Sequence, residues 1–118
     1  MKIIFIGDIV GRSGRDAIKN NISIVKEKYK PDAIIANAEN AASGYGLSKK
    51  IAVELFNLGV DVITLGNHAW DQREMLSYIE ENPKIIRAIN YPIGVPGKGK
   101  YKLTFNDGRT LTVIQVML

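Results

Sequence analysis

The chain contains no cysteine, so disulfides and thiolate metal sites are both excluded. It has a single histidine, His68, and a single tryptophan, Trp70, among its 118 residues. Apolar runs are short: the opening run is broken at Asp8, and none approaches the length of a membrane span. No charged, apolar and small-residue segments succeed one another as in a secretory leader, so the cytoplasm is the expected compartment. No face is built from one sign of charge. Lysines and arginines are spread along the sequence, and the formal net charge is only +4. This is compatible with an anionic small molecule but gives no concentrated surface for RNA.

What is present is an apolar, strand-forming pattern interrupted by polar punctuation. Hydrophobic residues make up 46% of the chain and charged residues 24%, enough for one core in one domain. Residues 2–7, Lys-Ile-Ile-Phe-Ile-Gly, read as a strand buried on both faces, which is the signature of a parallel sheet. The strand runs into Gly7-Asp8, with Gly11 and Gly14 close behind. Residues 15–30 carry apolar side chains at helical spacing and stop at Pro31.

The same event repeats. A short strand over residues 32–37 ends in Ala38-Glu39-Asn40, followed by a small, Gly-rich loop around Tyr45. Ser48 is placed to cap a helix that closes near Gly59. Residues 60–65 form a third strand ending in Gly66-Asn67-His68. Asp71 and Glu74 have capping-box spacing for a helix containing Met75, Leu76 and Ile79. A fourth strand over residues 84–89 ends in Asn90. After a Pro/Gly-rich loop, Asn106-Asp107-Gly108-Arg109 supplies the turn of a β-hairpin.

Strands alternating with helices predict a layered α/β sandwich, with a mainly parallel sheet flanked by helices and a hairpin at the end. Residues 111–118 form an apolar strand with nothing after it to cover it. Three helices are too few to cover both faces of the sheet. The expectation is therefore the N-terminal part, residues 1–118, of a single larger domain, completed by a C-terminal segment or by another copy of the chain.

In such a sheet the carboxyl ends of the strands share one edge, where open α/β folds bind ligands. Asp8, Glu39-Asn40, Asn67-His68 and Asn90 all fall there. Neighbouring parallel strands lie about 4.8 Å apart, so these side chains come within reach of shared ions. Carboxylate and amide oxygens suit Mg²⁺ or Mn²⁺, and imidazole adds affinity for Mn, Fe or Zn. Each residue also has a plain alternative as a turn or cap, since Asp, Asn and Gly are common after any strand. Asn90, before Tyr91-Pro92, reads most naturally that way. Trp70 and Tyr45 could stack on a base, although a tryptophan here also suits a helix–sheet wedge.

The stretches Gly7-Asp8-Ile9-Val10-Gly11-Arg12-Ser13-Gly14-Arg15, Asn37-Ala38-Glu39-Asn40 and Gly66-Asn67-His68-Ala69-Trp70-Asp71 together resemble the calcineurin-like metallophosphoesterases, and more narrowly their YmdB-like branch. The resemblance implies a phosphodiesterase with two divalent ions (Mn, Fe or Mg) that acts on small-molecule or nucleotide phosphodiesters, including 2′,3′-cyclic ones. RNA is an admissible substrate of that chemistry. By motif, Asp8 would bind one metal, Glu39 would bridge or bind both, and Asn40 and Asn67 would complete the second. His68 would be the proton donor or the phosphate contact, with Arg12, Arg15 and Asn90 as further candidates for holding substrate. Family members carry further histidine ligands in a second half that this chain does not include, so the isolated chain is expected to be weak or inactive. Two other readings compete. One is a nucleotide-binding module on Gly7, Gly11 and Gly14, whose spacing departs from the dinucleotide fingerprint. The other is a non-catalytic scaffold that pairs through its last strand.

Overall fold

A computed structural model describes all residues, 1–118. Its elements are β1 (Ile3–Ile6), α1 (Gly11–Tyr29), β2 (Ala33–Asn37), α2 (Lys49–Asn57), β3 (Val62–Thr64), α3 (Met75–Glu81), β4 (Ile85–Ile86), β5 (Lys100–Thr104) and β6 (Thr110–Ile114). The first four strands form one parallel sheet in the order β1-β2-β3-β4. The last two make a separate antiparallel hairpin.

Strands added one after another in the same direction, through crossovers of one hand, place every connecting helix on the same face. The core shows this arrangement. Ile34, Ala36, Ile63 and Ile85 pack against Ile22 of α1, Ala52 and Leu55 of α2, and Met75 and Ile79 of α3. The opposite face carries Ala33, Ile35, Val62 and Ile86, buried there by Tyr101, Leu103, Leu111 and Val113 of the hairpin. The covering layer that three helices could not provide is thus the hairpin. Its strands alternate inward and outward side chains as a two-faced antiparallel ribbon should. Hydrogen bonds from Arg87 N to Lys98 O (3.0 Å) and from Ile89 N to Gln115 O (2.8 Å) stitch it to the sheet beyond β4. The half-buried Arg87 guanidinium also donates to the carbonyls of Val95, Pro96 and Gly97, bracing the Pro/Gly loop.

Several expectations need correction. The opening strand is not buried on both faces. It is an edge strand, with Ile3 at 43% and Phe5 at 62% exposure, because only β2 lies beside it. Helix α1 starts at Gly11, four residues before the first apolar-periodic stretch, and uses no side-chain cap. The fourth strand shrinks to two residues. The spacing of Asp71 and Glu74 does not become a capping box, since α3 begins only at Met75. Ser48 does cap α2, accepting from Ile51 N at 3.2 Å. The hairpin turn also forms as expected, with Gly108 at φ +87°. No helix is long and apolar enough to cross a membrane.

Candidate active site

The carboxyl ends of β1, β2 and β3 lie side by side, and hydrogen bonds tie their loops together. The turn after β1 leans on β2: Ile9 N donates to Asn37 O (3.1 Å) and Gly11 N to Asn40 O (3.0 Å). The turn needs a left-handed residue, and Asp8 occupies it at φ +40°. Aspartate is among the few side chains that tolerate this region. The strain holds the Asp8 carboxylate toward the β2 loop, where Oδ1 accepts from Asn40 Nδ2 at 2.7 Å. Arg15 Nη1 donates to Ala41 O at 2.5 Å, fixing the same loop from α1.

Glu39 sits between β2 and β3. Its Oε2 accepts from the backbone N–H of His68 (3.2 Å) and its Oε1 from Asn37 Nδ2 (3.4 Å). Asn37 in turn reaches Thr64 Oγ1 at 3.4 Å. Thr64 is the buried polar residue of the core, and it links the two strands just beneath the site. The Glu39 carboxylate lies directly over Gly66, where a Cβ would overlap both of its oxygens. Only glycine leaves room for the acid there. That is a physical reason for Gly66 to precede Asn67-His68.

His68 and Asp71 form a pair that sequence reasoning missed. A turn closed by Asp71 N to His68 O (3.3 Å) puts both side chains on one side, and His68 Nδ1 lies 2.6 Å from Asp71 Oδ2. With Nδ1 committed, the ring is oriented and Nε2 is the nitrogen left free. The signal was the spacing His68-x-x-Asp71, which equally suited a helix start. A Tyr45-bearing loop buttresses this turn: Gln72 Nε2 donates to Tyr45 O (2.7 Å), and Gly46 backs onto His68 O and Asp71. Trp70 meets Tyr91 at 6.0 Å between ring centres, tilted by 55°, and Tyr91 OH donates to Gly66 O at 3.4 Å. Trp70 is therefore half-buried bracing rather than an open stacking platform.

The remaining candidates lie apart from this cluster. The Arg12 side chain is 87% exposed and touches only Asp16, at 3.7 Å. Asn90 is a tether: its Oδ1 accepts from Met117 N at 3.0 Å and its Nδ2 donates to Met117 O, so both polar atoms hold the segment that follows β6. Asn67 is exposed at the end of β3, on the open side of the site.

The oxygens of Asp8, Asn40 and Glu39 lie at neighbouring strand ends, a donor chemistry that fits a hard divalent cation, with Asn67 exposed beside them. No group of three His, Cys, Asp or Glu side chains comes together anywhere in the chain. Nor is the site a pocket. The largest concavity, about 600 Å³, lies at the opposite edge of the sheet among Phe56, Asp61, Tyr78 and Lys84, and contains none of these residues.

A 2′,3′-cyclic-nucleotide 2′-phosphodiesterase of Bacillus subtilis is 47% identical over 116 residues, which is 98% of this chain and 44% of that protein. A protein of Mycoplasma pneumoniae described as a putative phosphatase/phosphodiesterase is 38% identical over 92% of this chain and 40% of its own length. Among solved structures, a hypothetical protein from Thermus thermophilus superposes with a TM-score of 0.90 at 40% identity. That match covers 99% of this chain and 45% of that one. A phosphatase structure from Mycoplasma pneumoniae gives 0.89 at 36% identity, covering 98% and 42%. The chain thus spans less than half the length of the relatives it matches. The profile of the YmdB-like protein family matches residues 4–118, and the chain belongs to that family.

Proposed function

We propose that this chain carries the amino-terminal half of the active site of a metal-dependent phosphodiesterase, acting on small phosphodiesters of the 2′,3′-cyclic nucleotide class. The observation that carries the reading is the tying of three adjacent strand ends into one polar cluster. Asp8 bonds Asn40 across β1 and β2, and Glu39 bonds the His68 amide across β2 and β3. Turn or cap roles explain each residue singly but not this convergence.

In this reading Asp8 and Glu39 supply the carboxylates for two divalent cations, with Asn40 and Asn67 adding neutral oxygens. Bound there, such cations polarise phosphoryl oxygens and acidify a water nucleophile. The chain's own residues do the rest. Glu39, wedged over Gly66, keeps its carboxylate fixed between β2 and β3. His68 presents Nε2 to the phosphodiester and gives its proton to the leaving oxygen as the P–O bond breaks. Asp71 holds the ring through Nδ1 and stabilises it while it carries that proton. The relatives' remaining length would supply the rest of the shell, so the chain alone is expected to turn over slowly or not at all.

The test is hydrolysis of 2′,3′-cyclic AMP and of bis(p-nitrophenyl) phosphate with Mn²⁺. Both the chain alone and the chain mixed with the carboxy-terminal part of the Bacillus subtilis relative would be assayed. Asp8→Ala and His68→Ala would run beside them. Mn²⁺-dependent turnover abolished by both substitutions supports the assignment. Turnover that survives both overturns it.

A further inference from the structure

The loop after β2 leaves the polar cluster at Asn40 and meets it again at Gly46. Asn40 bonds Asp8 at one end, and at the other Gly46 lies so close to His68 O that a Cβ would come within 2.9 Å of it. Tyr45 stands between these anchors and is the most exposed aromatic of the chain, at 67%. An exposed tyrosine on a loose loop would be ordinary surface. This loop is tightly built. Gly44 N donates to Asn40 O, Tyr45 N to Ala42 O and Ala42 N to Gly46 O, each at 2.9 Å. Gln72 Nε2 donates to Tyr45 O at 2.7 Å, so both backbone polar groups of Tyr45 are held. Three of its residues take left-handed backbone angles: Ser43 at φ +56°, Gly44 at +85° and Gly46 at +77°. For Ser43, which has a Cβ, that conformation costs energy, and such strain collects where a segment is shaped for a ligand. The fold spends bonds and strain on presenting a ring that it does not bury. The other aromatics beside the site, Trp70 and Tyr91, are turned on each other.

We infer that Tyr45 is the base-binding residue of this site, stacking its ring on the nucleobase of a phosphodiester held at Asp8, Glu39 and His68. The inference rests on the phosphodiesterase reading of that cluster and adds the part of the substrate it selects. A nucleoside ester offers a flat aromatic face on one side of its phosphate, and a rim tyrosine is the group that meets it. A tyrosine has few side-chain torsions to freeze, and a pinned backbone leaves only those, so stacking here costs little ordering. Every base has a π-face, so the contact separates esters that carry a base from those that lack one, and accepts purines and pyrimidines alike. Tyr45 thereby sets specificity, while the strand-end residues act on the phosphate.

The experiment titrates the chain, with Mn²⁺ present, with 2′,3′-cyclic AMP, 2′,3′-cyclic CMP and ribose 2,3-cyclic phosphate, which has no base. Calorimetry reads affinity, and NMR reads the Tyr45 ring protons. Both nucleotides should shift those protons upfield, and the base-less ester should not. Tyr45→Ala should weaken both nucleotides roughly tenfold and leave the base-less ester unchanged. Tyr45→Phe should bind as the parent does, since the ring face makes the contact. Tyr29→Ala, which removes an exposed ring at the far end of α1, should alter nothing. Because the Tyr45 ring is in solvent its removal leaves the core intact, and the ring shift needs no substitution at all. The inference is overturned by an unmoved ring, by an equal loss for the base-less ester, by a Tyr45→Phe loss matching that of Tyr45→Ala, or by no nucleotide binding at about 1 mM. Tyr45-dependent binding without turnover would sink the phosphodiesterase reading and leave this inference standing. Asp8-dependent turnover with nucleotide affinity intact in Tyr45→Ala would do the reverse.

Discussion

The two ends of the candidate site are built on unlike foundations. Glu39, Asn67 and His68 rise from β2 and β3, strands flanked on both sides, whose side chains are buried to a few per cent. Asp8 rises from β1, flanked on one side only, with Ile3 and Phe5 in solvent and Ile4 and Ile6 only partly buried. Around Glu39 the backbone leaves one place for the carboxylate. Around Asp8 a strained turn and one hydrogen bond to Asn40 do the positioning. Interior strands hold what they carry by packing on both sides, whereas the edge strand relies on its turn and one cross-strand hydrogen bond.

The sharpest break between the regions should appear in stability. Ile63, fully buried in β3, is expected to cost about 3–4 kcal/mol as Ile63→Ala, through lost transfer energy and the cavity left behind. Phe5→Ala should cost less than about 1 kcal/mol, because most of that ring is already wet. Urea unfolding of the two variants decides. Equal losses would mean that β1 is as packed as β3, and the contrast would fall.

A pair of glycines makes the same comparison at the site. Gly66 precedes Asn67-His68, and a Cβ there would overlap the Glu39 carboxylate. Gly7 precedes Asp8, and a Cβ there would meet only Phe5 at an ordinary 3.8 Å. Gly66→Ala should leave the fold standing, since the far end of one side chain can move. It should weaken Mn²⁺ binding roughly 10- to 100-fold by displacing a ligand. Gly7→Ala should change binding little. Electron paramagnetic resonance of free Mn²⁺ reads both. Unaltered affinity in Gly66→Ala would remove Glu39 from the metal site.

These contrasts also show what could be read from residues alone. The strand ends carrying Asp8, Glu39 and His68 were legible because a parallel sheet must deliver its polar punctuation to one edge. The parallel pairing was legible for the same reason. The edge status of β1 was not, because a strand's neighbours are decided by the whole sheet, and Ile3–Ile6 carries the pattern of an interior strand. The role of Asp71 was hidden by degeneracy: an acid three residues from a polar side chain suits a helix cap and a side-chain pair equally. The docking of Tyr101, Leu103, Leu111 and Val113 onto the bare sheet face was a tertiary event with no local signature.

Asp71 offers a smaller effect. If the proposed activity holds, Asp71→Asn should lower kcat about tenfold with KM nearly unchanged, because the ring keeps a partner at Nδ1 but exchanges a charge-assisted hydrogen bond for a neutral one. Arg12→Ala should change neither, since Arg12 is in solvent with a loose partner. A rise in KM without a fall in kcat for Asp71→Asn would assign it to binding instead.

The smallest expected effect lies at the other end of β1. Asp32 accepts from the Lys2 backbone N–H at 2.6 Å and from Arg109 Nη2 at 3.0 Å, joining the start of the edge strand to the hairpin turn. The Lys2 bond first, and then the Arg109 guanidinium, hold its carboxyl below the usual carboxylate range. A group whose folded pKa lies below its unfolded one stabilises the fold fully above the unfolded value, and that stabilisation is lost as pH falls through the folded value. Stability should therefore decline on the acid side of the ordinary carboxylate range, and Asp32→Asn should flatten that decline by slightly lowering stability at neutral pH while leaving the acid region nearly unchanged. Both ends of the interaction are open to water, so added salt should shrink the difference. If thermal unfolding of Asp32→Asn keeps the parent's full acid dependence, the tie between β1 and the hairpin contributes nothing, and the edge strand is held by β2 alone.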